Sequence, residues 1–518
     1  MSSSTVVSAP GKVLLAGGYL VLDPTYSGVV VSTSSRFYTV VTQEHDRGNA
    51  PIQIRVRSPQ FVNASWTYRV HLGDSNIHLE QLVDGSNPQT LSKNKFVQLA
   101  LERTLLLALE YQGAAHLRYT LKSLEITILG DNDFYSQRAQ LTARNLPSTL
   151  RSLSQLLPFL HTGVVISDVH KTGLGSSAAL ITSLVSALLL HLNVIPSDSF
   201  DVPDPRLGGS ATASPGKKLA HNLAQYVHCL AQGKVGSGFD VSAAAFGSQL
   251  YTRFDPSVIQ PLMNDDQSMN PISLKQVLSP SNSQWSYRAE AFQLPPHVRL
   301  MLADVDAGSD TPSLVGKVLK WRKERPEEAQ RLWDATDALN QQFGRILLGL
   351  SDLALKYPKE YPKVIKYLSS LQSCQWLANP ILPESEQRII DSFHTVRLTA
   401  EEIRGKMREM GSASDVPIEP PEQTRLLNEC VSLAGVIGGG VPGGTVPLSI
   451  LSSYMRSDGL IGVFFFLPLS GDDGADDDGG GGGCSRRIRR HMAPRFRSQG
   501  LPGIRTPIDK GRRYMVDV

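Results

Sequence analysis

Between residues 5 and 72 the apolar positions come in short runs rich in β-branched and aromatic side chains, broken by turn formers. VVVSTS (29–34), FYTVVTQ (37–43) and IQIRVRS (52–58) each predict a strand. The period then changes. Over 96–111 apolar residues fall at 97, 100, 101, 105 and 108, one face of a helix. LEITILGD (124–131) and GVVISDV (163–169) are strand-like again, and helices are predicted from residue 178 and over 218–232. A short strand is expected at 251–254. A Pro/Gly/Ser-rich connector lies near 200–217, and 255–295 is polar and weakly periodic, which places a domain boundary there. HVRLMLADVD (297–306) opens a second α/β unit as a strand, followed by helices at 311–324, 326–356, 384–410 and 422–433. After Gly444 the pattern is lost: 445–470 has no clear period, and an acidic block, a glycine run and an arginine-rich stretch (486–513) follow. Such blocks are typical of disorder. The expected division is 1–270, 290–444 and a low-complexity tail over 445–518.

Composition narrows the class. The 518 residues are 41% hydrophobic and 19% charged, as in a globular protein. A net charge of +3 gives no support to nucleic acid or a membrane surface as the main partner. Cys229, Cys374, Cys430 and Cys484 are scattered, which argues against a disulfide framework or zinc site and for a reducing compartment. The first residues lack a basic start followed by an apolar run, so no signal peptide is expected. The apolar stretch 178–194 is interrupted by Thr182, Ser183, Ser186 and His191 and predicts a buried helix rather than a membrane span. No peroxisomal tripeptide ends the sequence. The expectation is a cytosolic protein.

The sharpest local signal is KTGLGSSAAL (171–180). Gly173 and Gly175 permit tight backbone angles, and Ser176 and Ser177 fall where a helix begins. Free amides and the positive end of the helix dipole then face one point, suited to an anion. No GK[ST] closes the loop, so it is not a Walker A motif. A capped helix after a glycine turn has the same pattern without any ligand. Two other segments count against that plain reading. SAPGKVLLAGGYLVLD (8–23) sets Lys12 after Pro-Gly, and QGKVGSGFDVSAAAFGS (232–248) sets Asp240 after a Ser-Gly turn, where it is either a general base or a helix cap. Alone, Lys12 and Lys234 are more often solvent charges.

APGK, GLGSSAA and SGFD in this order resemble the GHMP kinases, and GDNDFYSQR (130–138), GSDTPSLVGKVLKW (308–321) and VPIEPPEQTRLLNEC (416–430) narrow the resemblance to the phosphomevalonate kinases of fungal type. It runs from about residue 5 to Gly443. It implies an α/β fold with an N-terminal unit like the second domain of ribosomal protein S5 and a C-terminal ferredoxin-like α/β sandwich. The implied reaction takes ATP, with Mg²⁺, and 5-phosphomevalonate to ADP and 5-diphosphomevalonate, in the mevalonate route to isoprenoids and sterols.

By the same resemblance Lys171, Gly173, Leu174, Gly175, Ser176, Ser177 and Ala178 hold the nucleotide phosphates, Ser176 or Ser177 and Asp240 hold Mg²⁺, and Lys12 and Asp240 serve the chemistry. Lys234, Ser237, Gly238, Ser309, Thr311 and Lys317 are the expected substrate contacts; Lys317 is equally a helix-surface lysine. A phosphate acceptor is largely ionised near neutral pH, with a second pKa of about 6, so Asp240 need not act as a strong base. The family's third glycine motif breaks off within GGGVPGG (438–444), as a retained intron or a shifted frame would leave it. Three alternatives stay open: a pseudokinase with that loop missing, a mevalonate kinase, and a tail that regulates the chain or binds acidic partners.

Overall fold

The β-branched runs of the N-terminal region form two long strands, β1 (Ser4–Ala16) and β2 (Ser27–Gln43), paired antiparallel along most of their length. A computed structural model describes residues 4–43, 51–83, 93–121, 124–201, 213–263, 272–303, 311–378, 382–441, 462–466 and 513–517. β3 (Gln53–Arg57), β4 (Ser65–Leu72), β5 (Ile77–Leu82) and β6 (Leu124–Gly130) extend the sheet in the order β1-β2-β6-β3-β4-β5. The first residues of β2 pair with β7 (Gln249–Thr252), which carries β8 (Arg288–Ala291). A second sheet has the order β10-β11-β9, from Val436–Gly440, Gly462–Phe466 and Arg299–Ala303.

The helices cover one face of the large sheet. They are α1 (Lys95–Gln112), α2 (Ser176–His191), α3 (Pro215–Gln232) and the short α4 (Phe239–Phe246). Helix α2 is apolar all round because it is enclosed: Ile181, Leu184, Val185, Leu188 and Leu189 are all buried. Each such side chain contributes roughly 1.5–3 kcal/mol relative to exposure. Its buried Ser183 is satisfied by Thr39 of β2 at 3.0 Å. A second core gathers Phe343 and Leu347 of α6 (Pro326–Lys356), Val364 and Leu368 of α7 (Glu360–Ser369), and Ile389 and Phe393 of α8 (Glu384–Ser414). It reaches Ala16, Val29 and Val31, so β1 and β2 belong to both cores. Val318 and Trp321 of α5 (Thr311–Glu324) pack on Tyr19, Leu20 and Trp333 in a third cluster. Helix α9 (Pro421–Val431) precedes β10.

Three expectations change. Residues 163–169 form a 3-10 turn at Ile166–Asp168 rather than a strand. Their backbone is held by the turn before β4, through Val62 N–H to the Val164 carbonyl (3.0 Å), and not by a sheet edge. The stretch 255–295 contributes to the first core through Val258, Ile259, Leu262, Leu274 and Leu278, hidden in short helical turns with too few residues to show a period. Beyond Gly444, where the sequence suggests no element, Gly462–Phe466 is the central strand of the second sheet and Arg513–Asp517 forms β12, parallel to β1. A five-residue run of GVFFF has no alternation to detect, and only its partners reveal it as a strand. The remainder of the tail lies outside the described residues.

Candidate active site

Gly173 and Gly175 have φ of 75° and 76°, the left-handed region that glycine enters without strain. Leu174 between them is buried and anchors the loop. The first bond of α2 runs from Ala179 N–H to the Gly175 carbonyl, 3.1 Å. Gly175 offers no capping side chain, so the amides of Ser176, Ser177 and Ala178 are left to serve a ligand. Lys171 is exposed and bridges to Tyr135.

The register of β1 on β2 shifts between Pro10 and Lys12, and this irregularity turns Lys12 toward the loop. Its N–H donates to the Leu174 carbonyl at 2.9 Å, and its Nζ to the Gly173 carbonyl at 3.0 Å. The approach needs glycine on both sides. A Cβ at Gly11 would stand 2.9 Å from the Leu174 oxygen, and one at Gly175 3.1 Å from Lys12 Cε and Cγ. Nζ lies 5.4 Å from the centre of the Phe239 ring. Burial pushes the Lys12 ammonium below its ordinary pKa, while the charge of Asp240 opposes that fall.

Asp240 sits in the first turn of α4, after Gly238 at φ 82°. One carboxylate oxygen accepts from Val241 N–H at 2.9 Å. The turn before it is pinned from β7: Tyr251 Oη donates to the Ser237 carbonyl at 2.8 Å, and Arg253 to the carbonyls of Val235 (3.0 Å) and Gly236 (2.6 Å). Arg253 also reaches the Leu22 carbonyl, tying this turn to the 3-10 turn Gly18–Leu22 that follows β1. Gly238 is a packing requirement, since a Cβ there would come within 2.9 Å of Tyr251 Oη and 2.8 Å of Gln225 Oε1.

The GDND segment scaffolds the same loop. Asp131 accepts from Arg36 N–H (2.8 Å), Asp133 from Ser35 Oγ (2.6 Å), and the Phe134 carbonyl from Thr172 N–H (3.2 Å). Burial raises the Asp131 carboxyl to about 6. At the other end of β1, Gly17 and Gly18 line a cleft with Met407, Glu419, Gly439 and Gly440, which brings the start of the third glycine segment to the end of β1.

Lys12, the loop 173–178 and Asp240 are thus brought together. Ser237 and Gly238 lead directly into Asp240 on the same turn. Lys234 is exposed. Ser237 is half-buried with its carbonyl committed to Tyr251. Lys317 is exposed and turned to Asp415, 3.3 Å from its carbonyl and 3.8 Å from its carboxylate. Thr311 opens α5, and Ser309 lies outside the described residues.

Sequence reasoning missed His228. On α3, its Nε2 is 3.0 Å from Ser177 Oγ and 3.7 Å from Asp240. Nothing local distinguishes it from His221, which lies on the same helix and is packed among Phe246, Trp285 and Tyr287. Among the described residues no group of three or more His, Cys, Asp or Glu could hold a metal ion by itself. Asp240 and the Ser177 hydroxyl, which share His228 as a neighbour, are hard oxygen donors of the kind that fits Mg²⁺, whose other ligands would be water and phosphate oxygens.

No family model matches the chain. It is 38% identical over 460 residues to "Phosphomevalonate kinase, peroxisomal" of Arabidopsis thaliana, covering 85% of this chain and 88% of that protein. The phosphomevalonate kinase of Aspergillus fumigatus is 37% identical over 471 residues, covering 85% and 84%. That of Candida albicans is 33% identical over 443 residues, covering 85% and 87%. Among solved structures, Streptococcus pneumoniae phosphomevalonate kinase in complex with phosphomevalonate and AMPPNP is 13% identical with a TM-score of 0.46, covering 95% of this chain and 96% of that one. Identity at this level over most of both sequences, with Lys12, the glycine-serine loop and Asp240 converging in space, leads to one conclusion: the chain belongs to the phosphomevalonate kinase family.

Proposed function

We propose that this chain transfers the γ-phosphoryl group of ATP to the phosphate of 5-phosphomevalonate, giving ADP and 5-diphosphomevalonate. The observation that carries the reading is the meeting of the α2 N-terminus, Lys12 and Asp240 at one loop. Two phosphates must approach each other, so catalysis rests on positioning and on offsetting charge.

In this reading the amides at Ser176, Ser177 and Ala178 bind the nucleotide phosphates. Lys12 is held by the Gly173 carbonyl and stands ready to neutralise charge on the group in transfer. The charge of Asp240 opposes the fall that burial imposes on the Lys12 ammonium. Asp240 and a serine hydroxyl of the loop are the groups that would hold Mg²⁺, which would supply further neutralisation of the phosphates. The acceptor phosphate is already ionised and needs no base. The segment carrying Ser309, Thr311 and Lys317, with Lys234, is proposed to meet the acceptor when it binds. Among the described residues no helix is long and apolar enough to cross a membrane, and Cys229, Cys374 and Cys430 are free, which favours a reducing compartment such as the cytosol.

The test is ³¹P NMR of the chain with ATP, Mg²⁺ and 5-phosphomevalonate. A diphosphate doublet is expected to grow as the monoester signal falls. ADP appearing without that doublet overturns the assignment.

A further inference from the structure

His221 and His228 lie on the same helix, yet their surroundings differ in kind. His221 is enclosed by aromatic rings, and its Nδ1 meets the neighbouring Asn222. His228 is also buried, with the Phe96 ring 6.4 Å away, but its Nε2 meets polar groups at the site. Ser177 Oγ is 3.0 Å from Nε2, the Gln232 side-chain nitrogen 3.2 Å, and Asp240 Oδ2 3.7 Å.

An amide nitrogen donates only, so with Gln232 placed as it is and the ring in its Nδ1–H tautomer, the single lone pair of Nε2 is shared between the Gln232 amide and the Ser177 hydroxyl. In this tautomer Ser177 donates its hydroxyl hydrogen bond to the imidazole. Its oxygen is left with both lone pairs turned away from the ring, so the hydroxyl presents an acceptor and not a donor. At 3.7 Å Asp240 is too far for a hydrogen bond to this nitrogen, and its charge acts on Lys12.

We propose that His228 is a positioning residue for phosphoryl transfer: it fixes the Ser177 hydroxyl as an oxygen donor-ligand and bounds Asp240 on its inner side. The role follows from the shared nitrogen, and it rests on the assignment of Ser177 and Asp240 to the site. An acceptor oxygen beside a carboxylate suits a cation carried by the nucleotide. A hydroxyl free to rotate would instead donate to a phosphate oxygen or to Asp240 itself, and that set would be lost. His228 touches neither nucleotide nor acceptor in this scheme and acts only through its neighbours.

The experiment is a cycle of S177A, H228L, the double variant and H228Q. It reads kcat, KM for ATP, MgATP affinity by titration calorimetry, and melting temperature. S177A is expected to lower kcat at least tenfold. H228L should match it with a melting temperature close to the parent, and the double variant should lose no more than either single. In H228Q the amide oxygen accepts from Ser177, and kcat should recover to within about threefold, the calorimetric affinity following the same order. An unchanged S177A refutes the assignment of Ser177, and with it this proposal. Loss in S177A with wild-type kcat in H228L overturns the proposal alone. So do additive losses in the double variant, or a fall in melting temperature that tracks activity with no recovery in H228Q.

Discussion

Replacing Gly175 by alanine separates what the loop needs as backbone from what it does for Lys12. At φ 76° an L-residue is strained by roughly 1–2 kcal/mol, offset by about 0.4–1 kcal/mol from a less flexible unfolded chain. The net cost to stability is therefore only about 1 kcal/mol. The new Cβ would also stand 3.1 Å from Lys12 Cε and Cγ, closer than an ordinary contact. Lys12 cannot swing freely, because its Nζ is bonded to Gly173 and faces Phe239. The stem must shift by several tenths of an ångström, and small misplacements of a catalytic group cost up to about a hundredfold in rate.

Gly163 is the matched control. It has the same φ of 76° and nothing within 4 Å of its Cβ position. Steady-state kinetics and thermal melts of G175A and G163A should show equal, small losses of melting temperature. The kcat of G175A should fall at least tenfold while that of G163A stays unchanged. Equal kcat in the two variants would refute the reasoning that Gly175 exists to let Lys12 pass.

Three other outcomes follow from the same geometry. D240N should lose more than tenfold in kcat, about 1.4 kcal/mol of barrier, with a normal circular dichroism spectrum; a smaller loss removes Asp240 from the chemistry. His221, buried with a pKa of about 4 against 6.5 when free, stays neutral while the unfolded chain takes up a proton, so stability is full above pH 6.5 and declines as pH falls toward 4. The loss at pH 5 is about 2 kcal/mol, and H221F should flatten the dependence of melting temperature between pH 7 and 5; an unchanged slope would show that His221 is not its source. Glu419 takes Arg404 through Nε and an Nη, both side chains almost fully buried. E419Q should therefore destabilise by about 3–5 kcal/mol in chemical denaturation, and a loss under 1 kcal/mol would mean that the pair is solvated.

The parts of the fold that were legible from the sequence are those with a long, unbroken period. Helices α5, α6 and α8 repeat their apolar positions over many turns, and β2 and β3 are dense in β-branched residues. Short pieces were not legible. GVVISDV has the composition of a strand, yet backbone partners decide such a run, and its partner is a turn. GVFFF has no period and is a strand because β9 and β10 stand on either side. In the site, Lys12, Gly175 and Asp240 are legible because APGK, GLGSSAA and SGFD together resemble one kinase family, whereas each alone has a plain structural reading. His228 was invisible, since its meaning lies in Ser177 and Asp240, which are distant in sequence. The GDND segment was noticed as a motif, but its work of holding the loop through Arg36, Ser35 and Thr172 appears only in three dimensions.

The central claim is an acceptor preference, and one measurement tests it most directly. The chain is supplied with ATP, Mg²⁺ and an equimolar mixture of 5-phosphomevalonate and mevalonate, with an acceptor-free reaction beside it, and both products are followed in time. The account predicts that 5-diphosphomevalonate forms first and that ADP release without acceptor is negligible. Preferential formation of 5-phosphomevalonate from mevalonate, or ADP release that ignores both acceptors, would contradict it.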